Sequence, residues 1–233
     1  MKSFFIIVFL LLCFVPSPAG AGDTGSAAVA RLCNTAEACL PLAESGDIEA
    51  QLRLGLIHSM QHAAFLMSED RLRTQNLQAE AEEARKSAES HGKEVLKWLE
   101  MAAKQGDVRA FAQLGRLYAR GEMVIKDDSK AAAYYTKAAR VGDWPSQHQL
   151  GEFYFTGRGV ERNYLMAYAW LNCALKTSAT QKGSGTASKR ERMEYLLSVL
   201  SEELSAAQMA DAQKLADAYI LDYVALFQSI GKE

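Results

Sequence analysis

A 36-residue period runs through the middle of this chain, and it limits the possible folds more than any other feature. Gly106-Asp107 is followed by Ala110, Leu114-Gly115, Leu117-Tyr118, Gly121 and Val124. Gly142-Asp143 is followed, 36 positions on in each case, by Ser146, Leu150-Gly151, Phe153-Tyr154, Gly157 and Val160. Trp98, Tyr134 and Trp170 keep the same step, as do the pairs Ala102-Ala103, Ala138-Ala139 and Ala174-Leu175. An earlier copy opens at Gly46-Asp47, with Ala50, Leu54-Gly55, Ile57 and His58. It lies 60 residues before its successor, 24 more than the period. A period of this length belongs to arrays in which each unit is one supersecondary element that cannot bury its apolar face alone.

Each unit reads as two helices. Between 108 and 120, Ala110, Phe111, Leu114, Leu117 and Tyr118 recur at helical spacing on one face. Gly121 stops that helix, because glycine enters the left-handed region cheaply. Asp127 or Asp128 can cap the next helix, and Asn163 stands at the same place one unit later. Ala131 to Arg140 then presents Ala132, Tyr135, Ala138 and Ala139. The glycines at 55, 115 and 151 fall inside helices, at roughly 1 kcal/mol each relative to alanine. Their recurrence implies that a neighbouring helix approaches the backbone there. Composition agrees: beyond position 20 only Pro41 and Pro145 interrupt a chain rich in Ala, Leu, Glu, Lys and Gln.

The pattern resembles the Sel-one-like repeat family, a slightly longer relative of the tetratricopeptide repeat. The Leu-Gly followed by Tyr, the turn Gly157-Arg158-Gly159-Val160, and the Tyr or Trp with paired alanines and Gly-Asp carry the likeness. It covers roughly residues 38 to 178. Two departures stand out: the second unit's turn reads Gly121-Glu122-Met123-Val124, and the first unit has lost the turn. The resemblance implies an all-α, right-handed superhelical solenoid of helix pairs that serves as an interaction scaffold or adaptor. The expected boundaries are a half-repeat at 31–45, repeats at 46–105, 106–141 and 142–178, and a C-terminal helical cap at 188–233. The insertion, 61–92, is rich in helix formers and reads as a helical hairpin or as a charged, partly disordered loop. The cap reads as two helices near 188–202 and 204–229, lined by Met193, Leu196, Leu197 and Leu200, and by Leu215, Ala218, Tyr219 and Tyr223. Its apolar last turns would allow a homodimer.

The ends carry separate information. Lys2, an apolar run from Phe4 to Val15, and Ala19 and Ala21 around a cleavage point make residues 1–21 a secretory signal peptide. The run falls short of the roughly 20 residues of a membrane span. The expectation is a periplasmic or secreted protein with no integral span in its mature form. Cys33, Cys39 and Cys173 would then remain, an odd count. Cys33 and Cys39 can close a disulfide in an oxidising compartment, or pack as small apolar residues. Cys173, in an apolar stripe, reads as buried and inert.

Nothing in the pattern calls for catalysis. With 26 basic and 28 acidic side chains, no basic stripe points to nucleic acid. His58 and His62 share a helix face, but a zinc protease would need glutamate where Ser59 stands. No serine elbow or phosphate loop appears, so neither metal, cofactor nor catalytic residues are expected. The resemblance also admits a weak hydrolase acting on cell-wall or β-lactam compounds, as an alternative to a scaffold or a structural homodimer. For a scaffold, the groove should be lined by first helices. With Leu-Gly as the register, the outward positions are Arg109, Ala112, Arg116 and Ala119 in one unit and Pro145, His148, Glu152 and Phe155 in the next. Their equivalents in the first copy are Glu49, Leu52, Leu56 and Ser59. Arg109, Arg116, His148, Glu152 and Phe155 are the candidate contacts for an unidentified protein or peptide.

Overall fold

A computed structural model describes residues 33–180 and 186–230. The signal peptide expected at 1–21 lies outside the described residues, as does the middle of the linker before the C-terminal helices. Among the described residues all regular structure is helical: α1 (Ala36–Glu44), α2 (Ile48–Thr74), α3 (Gln78–Lys104), α4 (Val108–Arg120), α5 (Asp128–Arg140), α6 (Trp144–Thr156), α7 (Tyr164–Thr180), α8 (Thr186–Glu203) and α9 (Ala206–Ile230). The all-α solenoid class expected from the period is what the chain adopts. It divides into two compact units, and the division falls inside α4, after Ala110.

The recurring residues explain where helices begin and end. Gly46, Gly106 and Gly142 all have positive φ (+102°, +85° and +87°). The aspartate after each caps the next helix. Asp47 accepts from Ala50 N at 2.7 Å, Asp107 from Ala110 N at 3.0 Å, and Asp143 from Ser146 N at 2.9 Å. Asp127 and Asn163 do the same within the units, from Lys130 N at 2.9 Å and Met166 N at 3.0 Å. Each cap contributes about 1 kcal/mol. Pro145 sits in the first turn of α6, where its missing N–H removes no helical bond.

In the first unit, α2 and α3 are 27 residues each, or roughly 40 Å by helical rise. The 24 extra residues lengthen both arms of one pair. They form no separate loop, and Gly92 lies buried within α3. Ala81, Ala84, Ala88, Gly92, Val95, Leu99 and Ala102 make a buried face on α3 at spacings of three and four. The arms reverse at Gln75–Leu77, where Asn76 takes φ +63°, a conformation asparagine tolerates better than most residues. At the other end α1 packs over α2 and α3, joining Cys33, Cys39 and Ala43 to Ala50, Leu54 and Trp98.

In the second unit the helices are shorter, and two layers of core run through them. One joins Tyr135 and Ala139 of α5, Leu150 and Phe153 of α6, Trp170 and Cys173 of α7, and Ala216 of α9. The other joins Trp144, Leu171 and Ala174 to Met193, Leu196 and Leu200 of α8. Complete burial of Leu114 and Leu150 contributes about 1.5–3 kcal/mol each. The recurring glycines mark close approaches. A Cβ on Gly115 would stand 2.7 Å from the Tyr135 ring, and one on Gly151 2.8 Å from Leu171. The α8–α9 pair continues the stack. Ser205 and Gln208 cap α9 reciprocally, each side chain accepting from the other's backbone N–H. Tyr219 stacks on Trp170 with ring centroids 4.3 Å apart. The buried face of α9 is set by Ala212, Ala216 and Tyr219; Ala218, expected inward, is exposed. The Tyr223 side chain and the rest of the apolar tail lie outside the side chains described.

Candidate interaction surface

The outward positions read from the sequence are mostly engaged between helices. Arg109 donates to Glu49 at 2.8 Å and to Asp107 at 3.0 Å, tying the start of α4 to the start of α2. The Leu-Gly register alone places both Arg109 and Glu49 on the open side of their helices. In the second unit Glu152 of α6 accepts from Arg192 of α8 at 3.2 Å and from Gln149 at 3.2 Å. The position five before Leu and the position two after it therefore serve as lateral ties between consecutive first helices. The second of these ties is exposed on its arginine side, so it contributes at most about 1 kcal/mol. Its effect is orientation.

His148 is the clear correction. It was expected to face outward, yet only 5% of it is exposed. Leu52, at the same register position in the first copy, is also 5% exposed. Taken alone, a first helix is a cylinder with one buried side. In the stack it also has a neighbour at its flank, and for His148 that neighbour is α8. Its Nε2 lies 3.9 Å from Glu152 Oε1 and makes no hydrogen bond. Burial holds the imidazole below its ordinary pKa, against the pull of Glu152 and with the push of Lys189 and Arg192.

Arg116 and Phe155 stay half-buried. Arg116 bonds the side chain of Gln113 one turn back. Phe155 leans on Tyr164 with centroids 5.8 Å apart and touches the Trp144–Met193 core. Both keep a solvent-facing part that a partner could cover.

A second surface lies on the long pair, outside the five candidate contacts. On α2, Met60, Leu66 and Met67 are 57, 41 and 36% exposed. The apolar run was visible in the sequence. What was not visible is that both arms continue as helices, so that one face of α2 is spent on the alanines of α3 and the rest stays open. Beneath it lies an unexpected histidine pair. His58 Nδ1 and His91 Nδ1 are 2.9 Å apart, and Phe65 stacks on His91. His62 Nδ1 donates to Ala88 O at 2.7 Å. His58 and His62 do share a helix, but their ring nitrogens are engaged by α3. No group of three or more His, Cys, Asp or Glu among the described residues could hold a metal ion. No described helix is long and apolar enough to cross a membrane. Cys173 is fully buried, and burial raises its thiol pKa to about 11. The thiolate needed for nucleophilic work is therefore disfavoured.

With Gly-Asp caps, Leu-Gly contacts and paired alanines in place, the repeat segments can be compared with known proteins. They match the Sel1 repeat family. The matched segments are 96–107, 110–143 and 144–176. A protective antigen present in uropathogenic Escherichia coli strains, which displays an SLR fold, is similar in structure with a TM-score of 0.50 and 24% identity. The likeness covers 83% of this chain and 42% of that one, so the chain spans well under half of the antigen's length. It is a likeness of fold. A Sel1 repeat protein from Oxalobacter formigenes is 28% identical over 67% of this chain and 94% of that one, with a TM-score of 0.43. No curated protein matches.

Proposed function

We propose that this chain is an exported scaffold that holds a protein or peptide partner through its Sel1 repeats. One observation carries the reading: in the two 36-residue units, the recurring leucines, helix glycines and capping aspartates are used in building the fold. Leu114 and Leu150 fill cores, Gly115 and Gly151 seat neighbouring helices, and Asp107 and Asp143 cap. The partly exposed side chains differ from unit to unit, which is how a common frame carries a specific surface. Arg116, Glu152 and Phe155 are the contacts assigned to the first-helix surface, with Phe155 as the apolar anchor. Export rests on residues 1–21 and is tested by the N-terminal sequence of the mature protein.

A second reading has its own support. The exposed Met60, Leu66 and Met67 lie on one long helix, and methionine-rich faces adapt to varied partners. The two readings separate with a photo-crosslinking amino acid placed at 155 or at 67. Adducts with one defined segment of a partner from 155, lost in Phe155→Ala/Arg116→Glu, support the repeat surface. Adducts from 67 alone move the contact to the long pair. Adducts only between copies of the chain favour a self-associating structural protein.

A further inference from the structure

We propose that Cys33 and Cys39 form an intramolecular disulfide that latches the N-terminal helix onto the first unit. Cys33 lies two residues ahead of the Thr35 cap, and Cys39 is the fourth residue of α1. A hydrophobic staple brings together the residue before a helix cap and the fourth residue inside the helix. This pair is offset from that register by one position and turns into one buried cluster. The cap fixes the reversal: Thr35 Oγ1 accepts from Ala38 N at 3.2 Å, and Thr35 O accepts from Cys39 N at 3.1 Å. Both thiols are free, and both side chains lie in one buried cluster. Arg53 of α2 donates to Cys33 O at 3.2 Å, holding the segment ahead of α1 in place.

The surroundings determine when the bond can form. Cys33 and Cys39 are 1% and 0% exposed, within one core with Ala43, Ala50, Leu54 and Trp98. Burial, and then the neighbouring sulfur, push the Cys39 thiol up to about 12. The closed, reduced state is therefore a poor nucleophile out of reach of oxidants. Oxidation requires α1 to lift, as it does during folding. One thiolate then attacks a disulfide oxidant, RSSR, to give a mixed disulfide and one thiol, RSH. The second thiolate displaces the remaining RS group, which leaves as a second RSH. Two protein thiols become one disulfide and the oxidant is reduced to two thiols. With the bond closed, the segment ahead of α1 can no longer peel from that helix. Because α1 covers Leu54 and Trp98, the latch protects that core of the first unit. Its natural occurrence rests on the export reading; the chemistry itself does not.

The test uses the full chain, reduced and then incubated with oxidised glutathione. After an acid quench, the protein is denatured, alkylated and digested with trypsin, which leaves both cysteines on one peptide, residues 32–53. The expected result is a 32–53 peptide two hydrogens lighter, with no alkyl group, beside an alkylated Cys173. Oxidation should run faster in Leu54→Ala, where α1 is less firmly seated. Two alkyl groups, or two glutathione adducts, on that peptide under all conditions overturn the proposal. Folding is controlled with Cys33→Ser/Cys39→Ser: a reductant should lower the Tm of the oxidised wild type and leave that variant unmoved. An oxidised wild type whose Tm does not respond to reductant would sink the latch. A peptide that closes in vitro but is reduced in cells would instead remove the export reading.

Discussion

The long α2–α3 pair and the short α6–α7 pair share a sequence register and differ in how tightly it is enforced. Both first helices carry Leu-Gly and both have a buried glutamine at the same position, 51 and 147. Each glutamine donates to a carbonyl eight residues earlier, Gln51 to Ala43 and Gln147 to Ala139, both at 3.0 Å. At the glycines the pairs part. A Cβ on Gly151 meets Leu171 at 2.8 Å, whereas one on Gly55 meets Leu99 at 3.5 Å, an ordinary contact. The short pair has a few turns in which to bury its apolar surface and does so by close approach. The long pair spreads its contact over an alanine face, so its glycine is a repeat signature that the local packing no longer requires.

The sharpest way to break that contrast is Gly151→Ala. It should lose about 2 kcal/mol through overpacking, read from the urea midpoint, with Gly115→Ala alongside it. Equal tolerance at 55 and 151 would dissolve the comparison. Next comes the glutamine pair. Gln51 also accepts from Gln105 at 2.9 Å, while the buried Gln147 Oε1 has no partner. Gln51→Leu should therefore lose about 1–2 kcal/mol, and Gln147→Leu distinctly less, since it removes an unsatisfied atom together with a hydrogen bond. Third, Gly55→Ala should gain roughly 0.5–1 kcal/mol from helix propensity. The smallest effect is on pH. Burial and then His91 lower the pKa of His58 from its ordinary 6.5, with Glu94 opposing and Lys97 assisting. The unfolded chain then takes up the proton first, so this contribution is complete above about pH 6.5 and declines as pH falls below it. Two protonated imidazoles also cannot share the His58–His91 hydrogen bond. His148 shifts in the same direction, so the difference between wild type and His58→Gln isolates the pair. Identical pH profiles for the two would remove His58 from the account.

What could be read in the sequence was what is local. Asp47, Asp107 and Asp143 sit next to the N–H groups they cap, and Gly115 and Gly151 are explained by a helix one unit away at most. The burial of His148 was hidden because it depends on α8, which begins nearly 40 residues later. The partners of His58 and His91 were hidden because their meeting depends on where the long pair reverses. Met123 is instructive in the other direction. It breaks the family's turn pattern, yet it holds φ +64°, the value found at Gly159 in the next unit. A left-handed methionine costs about 1–2 kcal/mol, so the surrounding stack imposes the turn path. At Gly159 no such substitution is open, because a Cβ there would lie 2.0 Å from Asp128 O.

The reversal at Gln75–Leu77 acts as a mirror for the long pair. His58 faces His91 and His62 faces the carbonyl of Ala88, so opposed positions add to nearly the same number, 149 and 150. An insertion can be absorbed only if it is matched across Asn76. Length gained on one arm alone would slide the histidines past each other and turn the alanine face out of register. This part of the molecule can therefore grow or shrink over evolutionary time like a telescoping ruler, in balanced increments at its tip, while the repeat at its base keeps its fit.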